Sequence, residues 1–333
     1  MLFPEKLDLA HLPTKIMKLE KLSRQYGVNI YLKRDDLTGL LTSGNKIRKL
    51  EFFFKDIIQK GCDTVITCGG IQSNHARATA AVARRLNIKP FLILRGEETS
   101  KYNGNLLLDR ILGAEVIYID HEEYKDIDSV FKRCKKRLEK QGLKPYVIPE
   151  GGSNSLGAFG YIHMMKELIS QLKEMNLKID SIFHAVGSGG TSAGLIMGKE
   201  IYDAKADIYG ISVCNDRDYF TKRIFKIITE AREAYQIDSD ITPARINIID
   251  GYKGLGYAIS REEEIRLIIE IARMEGIIFD PVYTGKAIFG LLDQLKKDKF
   301  RFGENILFIH TGGLFDLFAR HDLLSQIINS TNS

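Results

Sequence analysis

Residues 181–195 read SIFHAVGSGGTSAGL, and the fold is decided by how this stretch is parsed. It begins as an apolar strand, turns on Gly187, Gly189 and Gly190, and enters a helix at about Thr191. A glycine turn of this kind lets backbone N–H groups converge on one point, and the helix behind it adds its positive dipole end, so together they make a cradle for phosphate. Ser188, Thr191 and Ser192 add hydroxyl donors. The stretch has neither the GxxxxGK[ST] of a nucleotide P-loop nor the spacing of GxGxxG. A tight strand-to-helix turn whose glycines serve packing alone explains this segment, taken by itself, equally well.

Outward from it, short runs rich in Val, Ile and aromatics recur: NIYLKRDD from Asn29, DTVITCGG from Asp63, PFLILRG from Pro90, AEVIYID from Ala114, PYVIPEGG from Pro145, DIYGISV from Asp207 and NILFIHTGG from Asn305. Each has the length and composition of a buried strand. Between them lie segments of helical period, such as the one carrying Ile47, Leu50, Phe54, Ile57 and Ile58. Another helix is expected to start with a capping box, Ser260 followed by Glu263, and to carry the stripe Ile265, Ile268, Ile269 and Ala272 as far as Gly276. Strand alternating with helix predicts an α/β protein of mostly parallel sheets covered by helices, with ligands at loops beyond the carboxyl ends of the strands. Several of those ends carry glycine and polar residues: CGGIQSNH, PEGGSNS, VGSGGTSAG and HTGG.

At 333 residues the chain exceeds the size of a single core, so two domains sharing a cleft are expected. A formal charge of +5, with Lys and Arg mixed among Asp and Glu, argues against nucleic acid as a partner. The four cysteines show neither CxxC pairing nor a Cys/His cluster of zinc spacing, so neither a disulfide nor a metal is expected. The start of the chain does not read as a secretion signal, and the longest uncharged stretch is too rich in Gly, Ser and Thr for a membrane span. A cytoplasmic location is expected.

Two further positions carry chemistry. Lys46, in TSGNKIRKLE, opens an amphipathic helix, where a cation opposes the helix dipole. Burial there would favour the neutral amine, the form that condenses with an aldehyde; the alternative is a solvated surface lysine. In CGGIQSNHARATAA, Ser73, Asn74 and His75 sit at another helix start, whose free N–H groups suit a substrate carboxylate. Alternatively Ser73 or Asn74 only caps that helix.

Taken together, SGNKIRKLE, GGIQSNHARATAA, PEGGSNSLGAFGY, GSGGTSAGL, DPVYTGKA and FIHTGGL occur in the order found in the family of D-cysteine desulfhydrase and 1-aminocyclopropane-1-carboxylate deaminase, which the chain resembles over nearly its whole length. That group belongs to the tryptophan-synthase-β-like, fold type II enzymes that use pyridoxal 5′-phosphate. The resemblance implies two domains, a larger cofactor-binding one from residues 1–48 and 161–333 and a smaller one, 49–160, closing over the cleft. It implies that Lys46 is the Schiff-base lysine, that Gly187, Ser188, Gly189, Gly190 and Thr191 hold the cofactor phosphate with help from Lys49, and that Asn74 lies against the pyridine ring. Ser73, Tyr257 and Tyr283 match active-site residues facing the substrate, and Thr284 falls where the family places the partner of the pyridine nitrogen.

A neutral Thr284, together with Thr311, favours loss of a thiolate over opening of a cyclopropane ring, because a carboxylate at that position would keep the ring nitrogen protonated and strengthen the electron sink. The expected activity is therefore α,β-elimination from D-cysteine to pyruvate, sulfide and ammonia. Cyclopropane deamination and action on a related sulfur or sulfonate amino acid are the alternatives. The sequences GYKGLGYAIS and Leu314–Phe315–Asp316 depart from the bacterial desulfhydrase pattern and leave the substrate open. Outside catalysis, a carrier of the cofactor is the competing class. A nucleotide-binding protein ranks lower, for want of a ribose-binding acid in a dinucleotide fingerprint. A homodimer is expected by analogy with the family.

Overall fold

A computed structural model describes residues 2–331. In chain order its strands are β1 (Ile16–Lys18), β2 (Asn29–Lys33), β3 (Thr64–Gly70), β4 (Lys89–Arg95), β5 (Glu115–Ile119), β6 (Pro145–Val147), β7 (Ser181–Val186), β8 (Asp207–Ser212), β9 (Asn247–Ile249) and β10 (Asn305–Ile309). All eight apolar runs are strands. The two they do not announce, β1 and β9, are three residues long, too short to show a period.

The strands form a six-stranded sheet in the order β1-β2-β10-β7-β8-β9 and a four-stranded sheet in the order β5-β4-β3-β6. Only β1 runs antiparallel to its neighbour. In the register of the large sheet, Phe308 of β10 lies between Leu32 and Phe183. Helices Ser155–Glu174, Gly190–Ile201 and Arg217–Tyr235 bury one face of that sheet, and Glu262–Glu275 and Thr284–Lys297 bury the other. The small sheet is covered by Asn45–Gln59 and Asn74–Arg85 on one face and by Ile127–Glu139 on the other. Among the described residues no helix is long and apolar enough to cross a membrane, and no cluster of side chains could hold a metal ion.

Two details differ from expectation. Ile58 is 48% exposed and lies outside the apolar stripe of its helix, whereas Ile47, Leu50, Phe54 and Ile57 are buried. The helix expected from Ser260 starts one residue later: the Arg261 N–H donates to Glu264, while the Ser260 hydroxyl donates to the Pro281 carbonyl at 2.5 Å. The signature was right in kind, but the tertiary acceptor at Pro281 captured the serine.

Helix Asn45–Gln59 covers the small sheet and also packs on Ser155–Glu174. A Cβ at Gly160 would stand 2.7 Å from the Arg48 carbonyl, so only glycine permits this approach. Arg48 anchors the contact. Its guanidinium pairs with Asp35 and Glu167, each at 2.8 Å, and Glu167 also accepts from Lys33 at 2.5 Å. Thr14 and Tyr161 hydroxyls donate to Asp35, both at 2.7 Å. Burial alone would raise the carboxyls of Asp35 and Glu167, but the Arg48 and Lys33 charges outweigh it and hold both below their ordinary values.

Depressed carboxyl values make the sign of the pH effect definite. The cluster's stabilisation is complete above the ordinary carboxylate range of about 4 and is lost as pH falls through the depressed values. Arg48→Met, which strands buried carboxylates, is expected to destabilise the protein by about 3–5 kcal/mol in urea denaturation at neutral pH, with a smaller difference from the parent in acid.

Candidate active site

The carboxyl ends of β7 and β3 face each other across one cavity. From β7 the chain passes through the glycine turn into helix Gly190–Ile201, with Gly189 at φ 87° as the residue before the helix. A Cβ at Gly187 would lie 2.9 Å from the Tyr283 ring, and one at Gly190 would lie 2.7 Å from the Ser153 hydroxyl and 2.9 Å from the Lys49 amine. Both glycines are therefore sterically required. Ser153 accepts the Gly190 N–H at 3.3 Å and meets the Ser188 hydroxyl at 2.8 Å. The Thr191 hydroxyl accepts from Asn45 at 3.0 Å, whereas the buried Ser192 hydroxyl has no partner.

Lys49 lies behind this turn, 1% exposed, donating to the Gly151 carbonyl and to Ser153, each at 3.1 Å. Among the described residues no carboxylate pairs with it, and burial, followed by the charges of Lys46 and Arg223, pushes its amine well below the ordinary range. Lys46 opens the same helix and reaches the cavity. Its amine donates to Asn45 at 2.8 Å and stands 6.0 Å from the Tyr283 ring centroid. Burial pulls Lys46 down to about 8, with Arg77 adding to the pull and Asp280 and Glu150 opposing it.

Across the cavity, the Ser73 hydroxyl caps helix Asn74–Arg85 by accepting the Ala76 N–H at 3.1 Å, and the residue also lines the cavity. The Asn74 carbonyl oxygen accepts from Asn105 at 3.0 Å and Arg77 at 3.4 Å, and Asn74 lines the cavity. The Thr67 hydroxyl donates its one hydrogen to the Ile148 carbonyl at 2.9 Å, so His75 Nε2, 2.8 Å away, must be the donor to Thr67. The unpaired Nδ1 is then an acceptor, and the ring is held neutral by burial with Lys46 and Lys49 nearby. At this helix start His75 can offer an anion its backbone N–H, not its ring.

Tyr257 and Tyr283 share a hydroxyl contact of 2.7 Å on the cavity wall. Burial pushes Tyr257 up to about 12, and burial together with the neighbouring phenol pushes Tyr283 well above its ordinary value, so both carry their protons at neutral pH. The structure does not bring Thr284 to the cavity wall. Its hydroxyl donates to Asp280 at 2.6 Å and accepts the Asp280 N–H at 2.9 Å. Asp280 also gathers the N–H groups of Val282, Tyr283 and Thr284 at 2.8 to 2.9 Å, which fixes the turn that carries Tyr283. Thr311 does line the cavity. Residues missed from the sequence are Asn45, Glu150, Ser153 and Asp280; Glu150 was visible only as an acid inside the glycine run PEGG.

A model of the pyridoxal-phosphate dependent enzyme family matches residues 7–312. The chain belongs to that family. It is 49% identical over 318 residues to a Thermotoga maritima protein provisionally named a 1-aminocyclopropane-1-carboxylate deaminase, covering 95% of this chain and 98% of that one. It is 43% identical over 333 residues to the Arabidopsis thaliana mitochondrial bifunctional D-cysteine desulfhydrase/1-aminocyclopropane-1-carboxylate deaminase, covering 97% of this chain and 82% of that one. A solved structure of an ACC deaminase homologue superposes with a TM-score of 0.90 at 39% identity, covering 98% and 96% of the two chains.

The protein is a pyridoxal 5′-phosphate enzyme of the lyase and deaminase type, and its residues fit that cofactor. A cradle that any Cβ at Gly187 or Gly190 would fill, together with a Ser192 hydroxyl and a Lys49 amine that have no partner and no paired carboxylate, respectively, among the described residues, suits a phosphate, whose charge would favour the protonated form of Lys49. Because the Lys46 amine is pulled down to about 8, the unprotonated fraction that attacks an aldehyde predominates above that pH. Capture of pyridoxal phosphate by the apo-protein, followed by absorbance, is expected to speed up with pH and level off above about 8. A solvated lysine would keep gaining to about 10.4, and Lys46→Ala is expected to abolish the capture.

Proposed function

We propose that this enzyme carries out α,β-elimination on D-cysteine, releasing pyruvate, sulfide and ammonia. The observation that carries the reading is the facing of the Lys46 amine, the Tyr257–Tyr283 hydroxyl pair and the Ser73–Asn74–His75 helix start across one cavity. Pyridoxal 5′-phosphate, when bound, supplies an electron sink for the negative charge that develops on the substrate Cα.

The chain's own groups supply the rest. Lys46 holds the cofactor and, once free, moves the proton at Cα, a task suited to an amine tuned toward neutral pH. Backbone N–H groups at Asn74 and His75 hold the substrate carboxylate, with the Ser73 hydroxyl beside them. The glycine turn, Ser192 and Lys49 hold the phosphate. Tyr283 and Tyr257, protonated at neutral pH, orient the departing group and neutralise it. Residues 49–160 act as the smaller domain, which limits water over the cleft.

The choice of a thiol substrate rests on position 284. The residue there is a neutral Thr whose hydroxyl donates to Asp280 behind the cavity wall, so position 284 offers the cofactor ring nitrogen no carboxylate of its own. The name of the Thermotoga maritima relative favours the cyclopropane amino acid instead. Purified holoenzyme assayed side by side on D-cysteine, L-cysteine and 1-aminocyclopropane-1-carboxylate separates the readings. Sulfide and pyruvate from D-cysteine are expected, and 2-oxobutanoate as the main product overturns the proposal. Lys46→Ala is expected to lose roughly 10³-fold in kcat and Tyr283→Phe roughly 10²-fold. Borohydride reduction with peptide mapping is expected to put the pyridoxyl label on Lys46.

A further inference from the structure

A second cavity of about 240 Å³ adjoins the first behind the tyrosine pair, with Tyr257 and Tyr283 lining both. Arg95, the last residue of β4, opens into it from the carboxyl end of the small sheet. In register it stands beside Gly70, from which the chain runs to Ser73. Its guanidinium is clasped between two rings, 4.6 Å from the Tyr124 centroid and 5.1 Å from that of Tyr257.

Among the described residues no acceptor bonds this guanidinium. Of the acids lining the two cavities, Glu150 accepts the Tyr124 hydroxyl at 2.6 Å, and Asp316 is paired with Arg320 at 2.6 Å. A half-buried arginine held on its faces by aromatic rings keeps its N–H donors, which lie in the guanidinium plane, free for an incoming acceptor. Planar donors of this kind bind oxyanions and other anions in a charge-assisted, often bidentate way.

From Lys46 the contacts lead to Tyr283, on to Tyr257 and then to Arg95. An amino acid held at Lys46 with its carboxylate at the Ser73 helix start therefore directs its β-substituent past the tyrosine pair toward Arg95. We propose that Arg95 is a specificity-determining residue, forming with this second cavity a subsite for amino acids whose β-substituent carries negative charge. The inference rests on Lys46 and the Ser73 helix start being the substrate anchors.

Its test is a binding measurement on holoenzyme, following the cofactor absorbance during titration with aspartate and with alanine of whichever hand the parent binds. The pair differs by a β-carboxylate. The parent is expected to prefer aspartate, Arg95→Gln to weaken aspartate by roughly ten- to a hundredfold while leaving alanine within about twofold, and Arg95→Lys to lie between. Because the guanidinium bonds no acceptor among the described residues and loses only its two ring contacts, the thermal midpoint of Arg95→Gln is expected to fall by no more than a few degrees, which guards against a folding defect. Equal weakening of both ligands, or an aspartate preference that survives Arg95→Gln, overturns the subsite while leaving Lys46 in place. A parent whose absorbance responds to no amino acid overturns the underlying reading and the subsite together.

Discussion

The pairing of Arg48 with Asp35 and Glu167 is the contact on which the active-site geometry depends. Arg48 stands two residues after Lys46 and one before Lys49, so one buried guanidinium fixes the start of the helix that carries both amines. Its partners come from the loop after β2 and from helix Ser155–Glu174, which brings the large sheet and the helix covering the small sheet to a common joint. Such a pair in low dielectric tolerates little displacement, because a partner left alone would be a buried unpaired charge. The glycine at position 160 then lets the two helix backbones meet closely enough for the pairs to form.

Electrostatics follows from that frame. Lys46, Lys49 and the dipole end of helix Gly190–Ile201 converge near the glycine turn, and Asp280, the buried acid near Lys46, spends its oxygens on the turn beneath Tyr283. Among the described residues neither lysine amine is paired with a carboxylate, and burial depresses both, with Asp280 and Glu150 only partly opposing it at Lys46. The same desolvation raises the tyrosine phenols. One physical cause thus prepares an amine that can give up its proton and phenols that keep theirs, on facing walls of a single cavity.

Much of this was legible in the residues alone. Parallel strands buried on both faces read as continuous apolar runs, so seven longer strands were visible, and three-residue β6 was visible from the run PYVIPEGG, while β1 and β9, equally short, had no such run to mark them. The glycine turn, Lys46 and Ser73–Asn74 stood out because each sits at a strand end or helix start with an unusual local composition, whereas Tyr257, Tyr283 and Thr284 were reached only through the family resemblance. What stayed hidden was tertiary in origin. Ser260 gives its hydroxyl to Pro281, Thr284 gives its own to Asp280, and Glu150 enters the cavity from the end of β6; no local pattern announces a partner brought in by the fold.

The approach of Gly187 to the Tyr283 ring ties together parts of the cavity that a linear description keeps apart. Between the backbone at Gly187 and the Tyr283 ring there is no room for a Cβ, and the hydroxyl on that ring is the one that meets Tyr257. In the proposed reading the turn that holds the phosphate and the phenols that meet the substrate thus share a wall, so a shift of one presses on the other. The absence of one methyl group is what lets the backbone of the glycine turn and this tyrosine ring come so close.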